Sequence, residues 1–300
     1  MKVDLLTKIR NAIKNGQVLV SDGAWGTFLH AKGLKPGECP ELWNVEHADK
    51  VLDIARDYIA AGADMIETNS FGGSRFKLEH YGLAERAYEL NKAAAAISRR
   101  AAGSDHFVLG SIGPTGKILM MGDVTKAELY NAFKEQAEAL AEGGADAIVV
   151  ETMTAIDEAV QAIKAAKENT NLEVICTFTF DQTVDGDYKT MMGVSPEEMA
   201  TAIIEAGADI IGSNCGNGMK RMVDIVRTIR RAAPDTPILV HANAGAPIIR
   251  DGATVFPETP EEMFQLVPAL MDAGANIIGG CCGTGPEHIM AIQRAVNTKL

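Results

Sequence analysis

Ala206-Gly207-Ala208-Asp209-Ile210-Ile211 is one of four copies of a single pattern. The others are Ala61-Gly62-Ala63-Asp64-Met65-Ile66, Gly143-Gly144-Ala145-Asp146-Ala147-Ile148 and Ala273-Gly274-Ala275-Asn276-Ile277-Ile278. Each reads as a helix end, a glycine and the start of a strand. Glycine reaches the left-handed conformation that terminates a helix, and the apolar run after it suits a strand in a sheet covered on both faces. Between the copies lie further apolar runs, Val18–Val20, Phe107–Ile112, Val174–Phe178 and Ile238–Val240, which bring the predicted strands to eight. Helical periodicity fills the gaps, as in Leu129-Ala132-Phe133-Ala137-Leu140 and Met263-Leu266-Val267-Leu270-Met271. Strand and helix alternating in this way over 300 residues predict an α/β fold, a single-domain (β/α)8 TIM barrel over residues 1–300, with residues 1–16 as an N-terminal amphipathic helix. A doubly wound sheet is the alternative. Its Gly-rich dinucleotide turn is missing, because the first strand is followed by Asp22-Gly23-Ala24-Trp25-Gly26-Thr27. The longest predicted insertion is Gly33–Glu46.

Charge and cysteine usage narrow the function classes. With 28 Lys and Arg against 40 Asp and Glu, the net charge of −12 argues against binding to nucleic acid or an anionic membrane. The first fifteen residues interleave Lys and Arg with apolar residues and so lack the continuous core of a signal peptide. No apolar run reaches the roughly 18 residues of a membrane span, so a cytoplasmic location is expected. The cysteine count, five, is odd, and two of the cysteines are adjacent. Free thiols in a reducing compartment fit this better than a disulfide framework.

In a barrel, residues just after each strand gather on one rim. The thiols fall there: Cys215 ends the run Ile210-Ile211-Gly212-Ser213-Asn214, and Cys281-Cys282 follow Asn276-Ile277-Ile278-Gly279-Gly280. The sixth and eighth strands flank the seventh, so all three thiols converge. Three thiolates hold Zn²⁺ with its fourth position open, the arrangement of a catalytic site. Their combined charge leaves such a centre at about −1, poor at generating hydroxide but suited to holding a substrate thiol as thiolate. Asn243, on the intervening strand, offers an oxygen to the open position when substrate is absent. Glu151, at the fourth strand end, needs a cationic partner if it points into the barrel mouth, and a substrate ammonium would supply one. The competing role for Glu151 is a cap for the helix that starts near Ala155, and for Asp22 a turn former. Cys39 and Cys176 lack strand-end partners and read as small buried hydrophobes. His241 and His288 lie near the site in sequence, and His288, after Pro286-Glu287, reads as structural.

These motifs, from Asp22-Gly23-Ala24-Trp25-Gly26-Thr27 through Glu67-Thr68-Asn69-Ser70-Phe71-Gly72, Gly113-Pro114-Thr115-Gly116, Glu151-Thr152, Asn214-Cys215 and Asn243-Ala244-Gly245 to Gly279-Gly280-Cys281-Cys282-Gly283-Thr284, resemble those of the zinc-dependent homocysteine S-methyltransferases. The resemblance covers nearly the whole chain and implies a (β/α)8 barrel that makes methionine. It implies Cys215, Cys281 and Cys282 as zinc ligands, with Asp22, Gly23 and Glu151 holding the amino-acid end of homocysteine and Asn69 nearby. Around Asn69 and Glu151 the wording is similar to the homocysteine module of cobalamin-dependent methionine synthase rather than to the betaine or S-methylmethionine branches. One departure is Ala242, where the family pattern has proline before Asn243. No folate-binding, cobalamin-binding or reactivation module is found in these 300 residues. The expected donor is therefore methylcobalamin carried by a separate corrinoid protein. Direct use of S-methylmethionine, betaine or another onium donor is the second expectation, and a non-catalytic zinc- or thiol-binding subunit of a methyl-transfer complex the third.

Overall fold

All four repeat glycines adopt the left-handed backbone, with φ of 98°, 102°, 104° and 106° at Gly62, Gly144, Gly207 and Gly274 in the computed structural model. It describes residues 3–250 and 253–298. The rest of the predicted 1–300 span, Met1, Lys2, Asp251, Gly252, Lys299 and Leu300, lies outside the described residues. Each repeat delivers a strand, and the eight predicted strands are all present: β1 (Leu19–Val20), β2 (Met65–Glu67), β3 (Phe107–Ile112), β4 (Ala147–Met153), β5 (Glu173–Phe178), β6 (Ile210–Gly218), β7 (Ile238–Asn243) and β8 (Ile277–Gly280). They pair in parallel in the order β1-β8-β7-β6-β5-β4-β3-β2, and a parallel bridge between Ser21 and Met65 joins the two ends. Helices cover the outside, and the protein is a TIM barrel.

The acidic or amide residue of the repeat has a second role that the glycine argument did not assign. Asp64, Asp146, Asp209 and Asn276 each accept a backbone N–H at the start of the neighbouring strand, from its first or second residue: Val20 at 3.0 Å, Val108 at 2.8 Å, Val174 at 2.7 Å and Ile238 at 2.9 Å. Their own backbone N–H groups donate to the carbonyls of those same four residues. A cation completes each clamp: Lys8 on Asp64, Arg99 on Asp146, Lys167 on Asp209 and Arg230 on Asn276. The even strands are thereby fixed in register on the odd ones, and N–H groups at the barrel floor gain acceptors they would otherwise lack.

The floor is closed by α1 (Leu5–Lys14), capped by Asp4, whose Oδ1 accepts from the Thr7 N–H at 2.7 Å. Leu5, Ile9 and Ala12 pack into one cluster with the lower inward-facing residues of the strands, among them Leu19, Met65, Val149, Ile210, Leu239 and Ile277. Because side chains alternate along a strand, the inward positions above these are two residues on, or four on in β6, where Gly212 intervenes. They are Glu67, Ser111, Glu151, Thr177, Asn214 and His241, all buried. The barrel interior is thus apolar below and polar above. The Gly33–Glu46 insertion carries a short helix, Trp43–Glu46. The sequence reading missed two others, the hairpins Asp181–Gln182 with Tyr188–Lys189 and Ile248–Arg250 with Ala253–Val255.

Ile9 is fully buried in the plug. Ile9→Ala should therefore cost about 2–5 kcal/mol by urea denaturation; an unchanged midpoint would mean that α1 does not close the barrel.

Candidate metal centre and substrate pocket

At the upper rim β4 shifts register between Val150 and Met153, and β6 between Asn214 and Gly218. Each bulge places a non-glycine residue at φ 59°, Thr152 in one and Cys215 in the other. Such backbone is strained for L-residues, especially a β-branched one, and persists only where its surroundings fix it. The side chain of Asn214 does so for Thr152. Its Oδ1 accepts from the Thr152 N–H at 2.8 Å and from Thr177 Oγ1 at 2.7 Å. Its Nδ2 donates to Thr152 Oγ1 at 2.7 Å and Glu151 Oε2 at 3.1 Å. One buried amide therefore ties the strand end bearing Glu151 to the one bearing Cys215, and the bulges aim both side chains across the mouth.

Cys281 and Cys282 follow β8 directly. Cys281 donates its N–H to the Ala242 carbonyl at 2.7 Å, and Ala244 donates to the Cys282 carbonyl at 3.0 Å, so the vicinal pair is stitched to β7. The Sγ atoms of Cys215, Cys281 and Cys282 all lie within 4.8 Å of one another, and this is the one such grouping of three or more ligand-type side chains among the described residues. Cys215 and Cys282 are 3.9 Å apart at sulfur. A tetrahedral zinc with arms of about 2.3 Å requires sulfurs about 3.8 Å apart, so the donor set fits the metal. As they stand, the thiols share protons: hydrogen bonds from Cys281 and Cys282 pull Cys215 down to about 3. The bond to Cys215 pushes Cys281 well up and Cys282 up to about 12. Asn243 is hydrogen-bonded to Cys215, and its Oδ1 is buried without a partner. Ala242, the departure from the family pattern, is fully buried, and it and Asn243 belong to regular strand.

The three cysteines form one side of a cavity of about 390 Å³. Carboxyl groups line the same cavity. Ser111 Oγ donates to Glu151 Oε1, and Asn214 holds the other oxygen. Glu67 sits with Oε1 3.3 Å from His241 Nδ1, yet Oε1 has no aligned hydrogen bond, and His241 Nε2 has none either. Burial raises Asp22 to about 7, helped by the charge of Glu67, and raises Glu67 to about 8. Burial and the neighbouring Glu67 carry Glu151 well above the usual carboxylate range. Burial pushes His241 down. Among the described residues no Lys or Arg lines the cavity, so three carboxyl groups crowd this space without a cation from its lining. Gly279 makes room for this layer, since a Cβ there would lie 2.8 Å from both the Asp22 carbonyl oxygen and His241 Cδ2.

Of the residues singled out in the sequence, Gly23, Asn69, Glu151 and the three cysteines line the cavity, while Asp22 lies beside it and off its wall. Asn69 has its amide engaged elsewhere: Nδ2 donates to the Pro40 carbonyl at 2.7 Å and Asn44 Oδ1 at 3.1 Å, and Asn44 Nδ2 donates back to the Asn69 carbonyl at 2.8 Å. It pins the Gly33–Glu46 insertion, whose Pro40 and Glu41 form part of the cavity wall. His288 is structural, with Nε2 on the Glu258 carbonyl and Nδ1 accepting from the Gly285 N–H. Glu67 and Asn214 were given no role and His241 was noted only as near the site, although counting by twos from Met65, Leu239 and Ile210 reaches all three. Among the described residues no helix is long and apolar enough to cross a membrane.

Comparison with known proteins agrees with this geometry. A methionine synthase of Mycobacterium tuberculosis is 33% identical over 298 residues, which cover 93% of this chain and 25% of that protein. The Mycobacterium leprae methionine synthase is 32% identical, covering 93% and 24%. The chain thus spans about a quarter of the length of these relatives. The metallated form of the homocysteine methyltransferase MmuM from Escherichia coli shares the fold, with a TM-score of 0.78 at 22% identity over 95% of this chain and 99% of that one. The family described as homocysteine S-methyltransferase matches residues 19–296. With eight strands, converging thiols and this match along nearly its whole length, the chain belongs to the homocysteine S-methyltransferase family.

Proposed function

We propose that this barrel is a zinc-dependent enzyme that methylates the thiol of homocysteine to give methionine. The observation that carries the reading is one cavity lined both by three sulfurs within 4.8 Å of one another and by the Glu67 and Glu151 carboxyl groups. An acceptor with a thiol at one end and an ammonium at the other matches both. Zinc on Cys215, Cys281 and Cys282 would hold the acceptor's sulfur as thiolate at neutral pH. The chain's own groups do the rest. Ser111 and Asn214 orient the Glu151 carboxylate toward the ammonium, Gly23 and Trp25 close the side of the cavity, and the Asn69–Asn44 pair holds the Pro40–Glu41 wall against water. The reaction is a displacement in which the acceptor sulfur bonds the methyl carbon, the donor's leaving group keeps the bonding pair, and the thiol proton is released.

For the donor, the reading favours methylcobalamin presented by a separate corrinoid protein. Its support is the likeness to methionine synthases and the character of the rim. Met120, Met121, Val184, Met191 and Ile249, all on loops that follow barrel strands, are 72–103% exposed. Exposed apolar side chains concentrated on one face mark a protein contact, and Met adapts readily to a partner's shape.

Four outcomes are expected. Purified protein should hold about one zinc per chain, measured by atomic emission. Cys282→Ala should lose that zinc and the activity while keeping its circular dichroism and melting curve; equal loss of fold would make the metal structural. Methionine should form with methylcobalamin or a methylated corrinoid partner, whereas turnover with S-methylmethionine or betaine alone would replace the corrinoid donor. Glu151→Gln should weaken homocysteine binding roughly tenfold in calorimetric titration, and unchanged affinity would take Glu151 out of the substrate pocket.

A further inference from the structure

β1 is the shortest strand of the barrel, two residues long, and it is held by two register pairs with β8 and a single bridge to β2. The residues that follow it supply Gly23, Ala24 and Trp25 to the cavity wall, which Gly280, Cys281 and Cys282 also line. A strand so short does little to fix residues 22–25, and side chains do it instead. Asp22 Oδ2 accepts from Trp25 Nε1 at 2.9 Å and from the Glu67 N–H at 2.8 Å. The Tyr58 hydroxyl, on the helix Ala48–Ala60, donates to the Ala24 carbonyl at 2.6 Å. The Ala24 N–H donates to Thr284 Oγ1 at 3.1 Å, and that hydroxyl donates in turn to the Cys281 carbonyl at 2.7 Å. Thr284 is buried and off the cavity wall. Two glycines make room for it. A Cβ on Gly23 would lie 2.8 Å from Thr284 Oγ1, and one on Gly280 would collide with the same oxygen and lie 2.7 Å from the Thr284 Cβ.

We infer that Thr284 is a positioning residue that sets the distance between the thiol cluster and the wall of residues 23–25, and thereby selects the length of the acceptor chain. The inference rests on the proposed thiol amino-acid substrate and deepens it. With the acceptor sulfur held at the cysteines, the number of methylene groups between sulfur and amino-acid end must match the span that the cavity wall allows. Thr284 touches neither end of the acceptor. Its hydroxyl is committed as acceptor to Ala24 and as donor to Cys281, so the two parts of the wall cannot separate without losing both bonds and leaving the buried Ala24 N–H unpaired. A pocket of fixed span distinguishes ligands that differ by one methylene by about 10- to 200-fold.

Zinc-loaded protein is titrated calorimetrically with homocysteine and with cysteine, the same α-amino thiol one methylene shorter. The unaltered protein should favour homocysteine by about tenfold or more. Thr284→Val, which keeps the shape and removes the hydroxyl, should cut that ratio roughly fivefold while retaining about one zinc per chain. Thr284→Ser, which keeps the hydroxyl, should leave the ratio as it is. If Thr284→Val does not fold, because its added methyl crowds Gly23 and Gly280, Thr284→Ala is read in its place. A ratio unchanged in the variant without the hydroxyl, whatever its melting temperature, makes Thr284 a structural residue and overturns the assignment. Loss of zinc from that variant also overturns it, by tying Thr284 to the metal alone, and a ratio lost equally in Thr284→Ser does so by giving the effect to the methyl group. Equal affinity of the unaltered protein for the two thiols removes length selection and leaves the thiol amino-acid reading standing. If neither thiol binds the unaltered protein, that reading itself falls and takes the role of Thr284 with it.

Discussion

Three carboxyl groups, Asp22, Glu67 and Glu151, are buried in the upper end of a barrel whose described residues place no lysine or arginine on the wall of the adjoining cavity. Burial of like charges without a counterion is among the most unfavourable arrangements a protein interior can hold. Much of the remaining architecture is what makes it tolerable. Below the carboxyl groups the barrel is filled by apolar side chains and sealed by α1. Around it, the repeat residues Asp64, Asp146, Asp209 and Asn276 fix strand register at the opposite end, so that local strain above does not loosen the sheet. Under the proposed function, the ammonium of the acceptor would complete the electrostatics of this site.

The sulfur side follows a parallel logic. Three thiols this close cannot all ionise freely without a cation: their mutual hydrogen bonds lower Cys215 and raise Cys281 and Cys282. Holding them together requires Cys215 in a left-handed bulge and Cys281-Cys282 stitched to β7. Asn214 links that bulge to Glu151, so the metal side and the acid side of the cavity are positioned by a shared side chain. A disturbance at one wall is therefore felt at the other.

How much of this could be read from the chain depended on whether the signal was local. The four repeats and the adjacent cysteines announce themselves within six residues, and they gave the barrel and the thiol cluster. Asp22 was legible as a conspicuous acid after a strand, but its partners, Trp25 and the Glu67 N–H, come from the closing of the sheet. Glu67 and His241 end apolar runs and look like ordinary strand termini until they are counted on the inward register. Asn214 carries its clamp only because two strands bulge at the same height, which no spacing in the chain discloses. The two hairpins were missed because their strands are two or three residues long and largely polar or exposed. Asn69 was noticed for the right region, but its amide turns toward Pro40 and Asn44 once the insertion folds over it.

The plug made by α1 governs traffic. With the lower end shut, everything that visits the sulfurs comes and goes through a single doorway, and under the proposed reaction two molecules must use it in turn. The acceptor has to be seated before a bulky donor settles over the entrance, and the finished product stays confined until that donor withdraws. A through-going channel would have let the partners queue from opposite sides; a cup imposes an itinerary of first in, last out.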